Sequence, residues 1–159
     1  MSRAFVKEQD DKPEELAERP VSPNPNVVTV RGLRLIDAEI DEARRLLANG
    51  QRNADKAAIA RASRDLRYWM LRRSTAQPKT APSPVDAVAF ATRVKIARAD
   101  GRTQTFAIVG EDEADPAKGY IAYTAPLARA VMSRSVGDAV DFAGGEIEIL
   151  ALEAIGPEG

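Results

Sequence analysis

The sequence predicts an α+β fold in which an antiparallel helical hairpin precedes a small antiparallel-sheet domain. Apolar residues recur at heptad spacing within residues 28–77 and alternate with a period of two from Val88 onward. Residues 78–85 lie between these two patterns and contain several prolines. The two periods are typical of helices and strands respectively, so the chain is expected to change type at the prolines.

Residues 1–27 form a predicted arm in front of the hairpin. The segment is rich in acidic residues and contains Pro13, Pro20, Pro23 and Pro25. Low hydrophobicity and repeated proline disfavour both a helix and a packed strand. A flexible, acidic and proline-rich arm is therefore expected.

Residues 28–77 contain two apolar seams separated by a short polar turn. Each seam can be buried only against the other, so the two helices are expected to run antiparallel. The seams consist of Leu33, Ile36, Ile40, Ala43 and Leu47, and of Ile59, Ala62, Leu66 and Trp69.

Helix-end signals flank both seams. Thr29 is a candidate N-cap of the first helix, and Gly50 is the residue at which this helix is expected to stop. Asn53 or Asp55 then provides the N-cap of the second helix.

Residues 78–85 are the predicted linker, and residues 86–156 the predicted sheet domain. The alternation from Val88 to Ile96, the turn at Asp100-Gly101 and the apolar run from Thr103 to Val109 predict a β-hairpin. Further elements are expected at Tyr120–Tyr123 (strand), Pro126–Met132 (helix), and Ala139–Phe142 with Glu146–Leu150 (hairpin across Gly144-Gly145).

Composition excludes several chemistries. The chain has no Cys and no His, so it can form neither a disulfide nor a thiolate or imidazole zinc site, and it has no Ser-His-Asp or Cys-His nucleophile. No cofactor and no metal are expected. Because no apolar run approaches the roughly 20 residues that span a bilayer, and the N-terminus lacks the apolar core of a signal peptide, no membrane partner and a cytoplasmic location are expected.

Several segments of the sheet domain follow one another in a specific order. They are Ile108-Val-Gly-Glu-Asp-Glu-Ala-Asp115, Ile121-Ala-Tyr-Thr-Ala-Pro-Leu-Ala-Arg-Ala130, Val136-Gly-Asp138 and Gly144-Gly145. This order resembles the C-terminal domain of the Gre transcription elongation factors (GreA and GreB), whose patterns read I-V-G-x-D-E-A-D and I-S-x-x-S-P-(I/M)-A-R-A. Val27-Val-Thr-Val-Arg-Gly-Leu33 likewise resembles the L-V-T-x-x-G opening of the family's N-terminal coiled coil.

The resemblance implies a short-hairpin variant of this family, with a sheet domain similar to FK506-binding proteins. It implies that RNA polymerase is the partner and that the chain regulates transcription elongation at the polymerase's secondary channel. Such a factor is not itself an enzyme, because it acts on the catalytic activity of the polymerase. The family segment that grips the rim of the secondary channel corresponds here to Tyr123, Thr124, Ala125, Pro126, Leu127 and Arg129.

The hairpin tip departs from the family pattern. Family members carry an acidic pair in a G-D-x-x-E-N-A-(D/E) motif that helps to hold a magnesium ion, and alignment on Asn53-Ala54 places Asn49 and Arg52 at those two positions. A magnesium ion prefers anionic oxygens, which neither residue supplies. Asp55 is the remaining acid near the tip and also suits an N-cap. Transcript-cleavage stimulation is therefore expected to be weak or absent.

Charge divides unevenly along the chain. Residues 31–73 carry 11 basic and 6 acidic side chains, whereas residues 74–159 carry 8 basic and 12 acidic ones. The basic hairpin could bind nucleic acid, or it could be an ordinary solvated helix surface. Asp112, Glu113 and Asp115 similarly suit either an acidic site or a turn.

The sequence is also compatible with two alternative functions. A short helical hairpin beside a Gre-like domain also resembles the regulator of nucleoside diphosphate kinase. The FK506-binding-protein-like fold also allows a peptide-binding module, because fold does not determine function. This alternative ranks last, because the sequence has few of the aromatic residues expected to line a peptide pocket.

Overall fold

A computed structural model describes residues 16–157, which form a helical hairpin followed by a five-stranded sheet domain. The predicted α+β class is confirmed. The first part of the predicted arm, residues 1–15, lies outside the described residues. No helix within residues 16–157 has the length and apolar character needed to cross a membrane.

The hairpin consists of helix α1 (Val30–Arg52) and helix α2 (Lys56–Thr75). At about 1.5 Å per residue, the 23 residues of α1 extend over roughly 34 Å. The predicted seams meet between the helices. Ile36, Ile40, Ala43 and Ala62 are buried, and Leu33, Leu66 and Trp69 pack beside them.

Both predicted N-caps are confirmed. The hydroxyl of Thr29 accepts a hydrogen bond from the backbone N–H of Gly32 (2.9 Å), and the carboxylate of Asp55 accepts one from Ala58 (3.0 Å). The predicted stop at Gly50 is wrong, because α1 continues to Arg52. Gly50 is buried instead, and a Cβ there would lie 3.2 Å from Cγ1 of Ile59. The missing side chain therefore permits close helix contact near the tip.

Short parallel strands close the base of the hairpin. Strand β1 (Val27–Val28) pairs with strand β2 (Gln77–Pro78), and the N–H of Lys79 donates to the carbonyl of Val28 at 2.9 Å. These bonds join the residues that precede α1 to those that follow α2.

The elements of the sheet domain are β3 (Thr92–Arg98), β4 (Thr103–Val109), β5 (Tyr120–Ala122), α3 (Pro126–Val131), β6 (Ala139–Phe142) and β7 (Gly145–Ala154). The strand order is β5-β4-β3-β7-β6. Three of its four strand pairs are antiparallel, whereas β4 and β5 are parallel. The prediction of a purely antiparallel sheet is therefore wrong at this edge, because the connection through residues 110–119 brings β5 alongside β4 in the same direction. Helix α3 contributes Ala128 and Val131 to the core beneath the sheet.

Strand β3 begins later than the alternating pattern predicts. Val88 is buried, but its backbone exchanges hydrogen bonds with Ser133 and Arg134, which follow α3. Ala91 then has a φ of 65°, a left-handed conformation that interrupts an extended strand. The apolar alternation therefore reports burial at residues 88–91 rather than sheet pairing.

Candidate functional site

The predicted polymerase-contact segment runs from the end of β5 into the first turn of α3. Ala125 is the N-cap residue of α3 without a side-chain capping bond, and Pro126 occupies the first turn. Pro126 and Arg129 are exposed, while Thr124, Ala125 and Leu127 are half-buried. Buried Ala128 packs α3 against the core, so Pro126 and Arg129 are exposed on the outer side of a helix that is held in place.

Tyr123 links this segment to the chain in front of the hairpin. Its hydroxyl donates a hydrogen bond to the carbonyl of Pro25 (2.6 Å), and its ring meets Phe90 edge-on at 6.0 Å. Desolvation, followed by the charge of Glu111, raises the pKa of the Tyr123 phenol. The phenol of Tyr123 therefore keeps its proton to a higher pH than an exposed tyrosine does.

The hairpin tip is polar and open. Asn49, Arg52 and Asp55 are all exposed, and the side-chain amide of Asn53 donates to that of Asn49 at 3.4 Å. Asp55 is engaged as the N-cap of α2. Among residues 16–157 there is no cluster of three or more acidic, Cys or His side chains able to hold a metal ion.

Asp112 forms hydrogen bonds with two side chains of α2. It accepts hydrogen bonds from Nε of Arg72 (2.6 Å) and from the hydroxyl of Tyr68 (2.6 Å). Arg72 is only 2% exposed and also donates to the side-chain oxygen of Asn26 at 2.9 Å. Asn26 in turn donates to the carbonyl of Arg72 at 2.7 Å. Every buried polar group of this network is thus paired, as a buried charge requires.

Glu113 forms a second connection, to the start of α1. Its carboxylate accepts from the hydroxyl of Thr29 at 2.6 Å and pairs with Arg31 at 3.0 Å. Because Thr29 also caps α1, one buried carboxylate fixes the N-terminus of the hairpin to the sheet domain. We call the two networks, which comprise Asn26, Thr29, Arg31, Tyr68, Arg72, Asp112 and Glu113, the acidic clamp.

Two glycines make the acidic clamp possible. A Cβ at Gly110 would collide with the carbonyl oxygen of Val27, and a Cβ at Gly32 would lie 2.7 Å from a carboxylate oxygen of Glu113. Both glycines belong to the segments that carry the family resemblance. Asp112 and Glu113 thus have structural roles, while Asp115 lies beyond the clamp and bridges to Tyr120 through its backbone.

The described part of the arm lies along α2. Glu18 accepts a hydrogen bond from Nε of Arg67 at 3.0 Å, which lowers the pKa of Glu18. The guanidinium of Arg19 lies 4.0 Å from the ring centroid of Tyr68, and Ser22 donates to Glu111 at 2.9 Å. Residues 18–26 therefore contact both the hairpin and the sheet domain, whereas composition indicated a solvated, flexible segment.

Sequence reasoning missed Asn26, Tyr68 and Arg72 as functional positions. These side chains lie outside the two apolar seams, and a lone arginine in a basic helix resembles its solvated neighbours. The signal available in the sequence was the Gly-Glu-Asp-Glu segment at residues 110–113, whose partners are 40 to 84 positions away in the chain.

Comparison with known proteins gives a family-model match in the sheet domain. Residues 82–154 match the family model described as transcription elongation factor, GreA/GreB, C-terminal. A transcription elongation factor GreB from Neisseria meningitidis (strain Z2491) is 43% identical over 74 residues, which cover 44% of this chain and 45% of that protein. The chain thus spans about half the length of this curated relative.

One relative matches a longer region. The transcription elongation factor GreB of Xanthomonas axonopodis pv. citri is 32% identical over 114 residues, covering 70% of this chain and 66% of that protein. An alignment of this length extends from the sheet domain into the hairpin. The crystal structure of GreA factor homolog 1 from Thermus thermophilus aligns with 80% of this chain and 98% of its own, at 16% identity and a TM-score of 0.38.

Proposed function

The chain belongs to the GreA/GreB family of transcription elongation factors, and we propose that it binds RNA polymerase and regulates transcription elongation from the rim of the secondary channel. The proposal rests on one observation, the exposed Pro126 and Arg129 on the outer side of α3. They stand in the segment that resembles the polymerase-gripping segment of the family. Regulation here means action on the polymerase's chemistry, with no catalysis by the chain itself.

The acidic clamp supports a directional role for the hairpin. Its buried hydrogen bonds connect α1 and α2 to the residues that follow β4, so hairpin and sheet domain are held in one arrangement. A partner that binds the sheet domain therefore also sets the direction in which the hairpin points. This arrangement suits a factor whose one domain docks at a rim while its hairpin projects into a channel.

The tip supports binding without strong stimulation of transcript cleavage. Asn49 and Arg52 are exposed, and Arg52 brings positive charge. The resemblance aligns these two residues with the acidic pair of the family. Two-metal phosphoryl chemistry needs anionic ligands at this point. We expect weak or no cleavage stimulation, together with contact between the basic hairpin and nucleic acid.

A pull-down with purified core polymerase tests the binding surface. The double substitution Pro126→Glu with Arg129→Glu should lower affinity at least about tenfold, since it puts two carboxylates on the proposed contact. Pro116→Glu with Arg102→Glu is the matched control, because both residues are exposed, lie in the same domain and undergo the same charge change. Equal affinity of both folded variants and the native chain would remove this surface from the proposal.

A further inference from the structure

Residues 18–25 lie against the start of the proposed polymerase-contact segment. The hydroxyl of Tyr123, the first residue of that segment, donates its hydrogen bond to the carbonyl of Pro25 at 2.6 Å. Ser22 donates to the carboxylate of Glu111 at 2.9 Å. We call residues 18–25 the strap. Because a phenol has one hydroxyl proton, the strap occupies the only donor that the side chain of Tyr123 has.

The other end of the strap is held to α2 by contacts at the protein surface. Glu18 pairs with Arg67, and these two side chains are 61% and 57% exposed. Arg19 pairs with Asp65 at 3.5 Å, and its guanidinium lies over the ring of Tyr68. Exposed ion pairs contribute little to stability, since water and salt screen them. These contacts therefore hold the strap in place without making it part of the core.

Burial changes abruptly where the strap ends. None of residues 18–25 is buried, whereas the next residue, Asn26, is buried and bonded to Arg72 in the acidic clamp. The chain is thus fixed from Asn26 onward by paired buried groups. The strap can consequently leave the surface while the acidic clamp stays intact.

We infer that the strap is an autoinhibitory cover, which RNA polymerase displaces when it binds at Tyr123. The inference rests on the proposed function, because it concerns the regulation of the same contact segment. The hydroxyl of Tyr123 cannot donate to Pro25 and to a partner at once, so the strap and the polymerase compete for it. Only chains with an open strap then bind, and the apparent affinity equals the intrinsic affinity multiplied by the open fraction.

The test compares the native full chain with a release variant and a matched control in titrated pull-downs with purified core polymerase. The release variant removes the side chains that hold the strap but keeps the net charge, through Glu18→Ala, Arg19→Ala and Ser22→Ala. The control removes an exposed ion pair and an exposed hydroxyl elsewhere on the hairpin, through Glu42→Ala, Arg45→Ala and Ser74→Ala. Circular dichroism verifies that both variants are folded.

A closed variant tests the opposite direction. The native chain has no Cys, so Ser22→Cys with Glu111→Cys provides one specific pair of thiols for a short bismaleimide cross-linker. The two native side chains are in hydrogen-bond contact, so the cross-link should form in the isolated chain. The same variant before cross-linking is its own control.

The release variant should bind polymerase about fivefold more tightly than the native chain, since the contacts that it loses are worth about one net hydrogen bond. The control should stay within about twofold of the native affinity. Cross-linking should weaken binding at least about tenfold, because it removes the open fraction.

Each other result counts against the strap. Unchanged or weaker binding of the release variant, an equal gain in the control, or native-like binding after cross-linking would overturn the inference. A folded Cys variant that does not cross-link would also overturn it. In all these cases, binding by the native chain would leave the proposed function standing. If no form of the chain bound polymerase, the proposed function and the strap would both be refuted.

Discussion

Nε of Arg72 in α2 lies 2.6 Å from a carboxylate oxygen of Asp112 in the sheet domain, and the two side chains are 3% and 12% exposed. A buried cation needs such a partner because removing it from water is costly. This ion pair therefore couples the folding of the hairpin to that of the sheet domain. Asp112 also lies in the segment at residues 108–115, which resembles the I-V-G-x-D-E-A-D pattern of the family.

Replacing Arg72 should destabilise the whole chain. Arg72→Met leaves Asp112 without its cation and Asn26 without a donor, and should lower the free energy of unfolding by about 3 kcal/mol or more. Arg73→Met is the control, since Arg73 pairs with Asp37 on the surface and should cost less than about 1 kcal/mol. Urea unfolding followed by circular dichroism measures both; similar losses would contradict the structural role of the clamp.

Any side chain at position 110 should lower the stability of the chain. Gly110→Ala would place a methyl group against the carbonyl oxygen of Val27, so hairpin and sheet domain would have to separate. Overpacking of this kind costs about 1–3 kcal/mol. Gly156→Ala is the control, because a Cβ there meets no atom within 4 Å. Thermal unfolding should show a lower midpoint for Gly110→Ala alone, and an unchanged midpoint would show that the junction can adapt.

Tyr68 should lower the free energy of unfolding as the pH becomes alkaline. Desolvation and the hydrogen bond to Asp112 raise its pKa from 10.0 to about 12. Between these values the unfolded chain binds fewer protons at this group than the folded chain, so its contribution to stability is present below pH 10 and is lost as pH rises toward 12. Tyr68→Phe should reduce the loss of stability over this range, as measured by urea unfolding at several pH values. Identical pH dependence of the two proteins would contradict the assignment.

The tip should limit transcript cleavage through both charge and reach. The native chain should give little cleavage of backtracked RNA by polymerase, because Asn49 and Arg52 supply no anionic magnesium ligand. Asn49→Asp with Arg52→Glu restores the charge, and two added heptads in each helix extend the hairpin by about 21 Å. Only the combination should be strongly active. The control is the lengthened hairpin with Asn49→Ala and Arg52→Ala; strong cleavage by the native chain would refute this expectation.

Local sequence determined the individual elements of this protein. The seam residues Ile36 and Ile40, the caps Thr29 and Asp55, and the turn at Asp100-Gly101 were all predictable, since each depends on periodicity or on hydrogen bonds between near neighbours. The resemblance at residues 108–115 similarly indicated the family without requiring coordinates. What these patterns could not provide was the role of the acidic residues within that segment.

The tertiary structure decided where charged and small residues are used. Arg72 and Glu113 are residue types normally found in water, and only partners 40 and 84 positions away in the chain make their burial possible. Gly50 resembles a helix stop in sequence, yet the approach of Ile59 gives it a packing role inside α1. Local patterns specify elements because their causes lie within one or two turns, whereas the junction of hairpin, arm and sheet domain arises from contacts that exist only after the chain has folded.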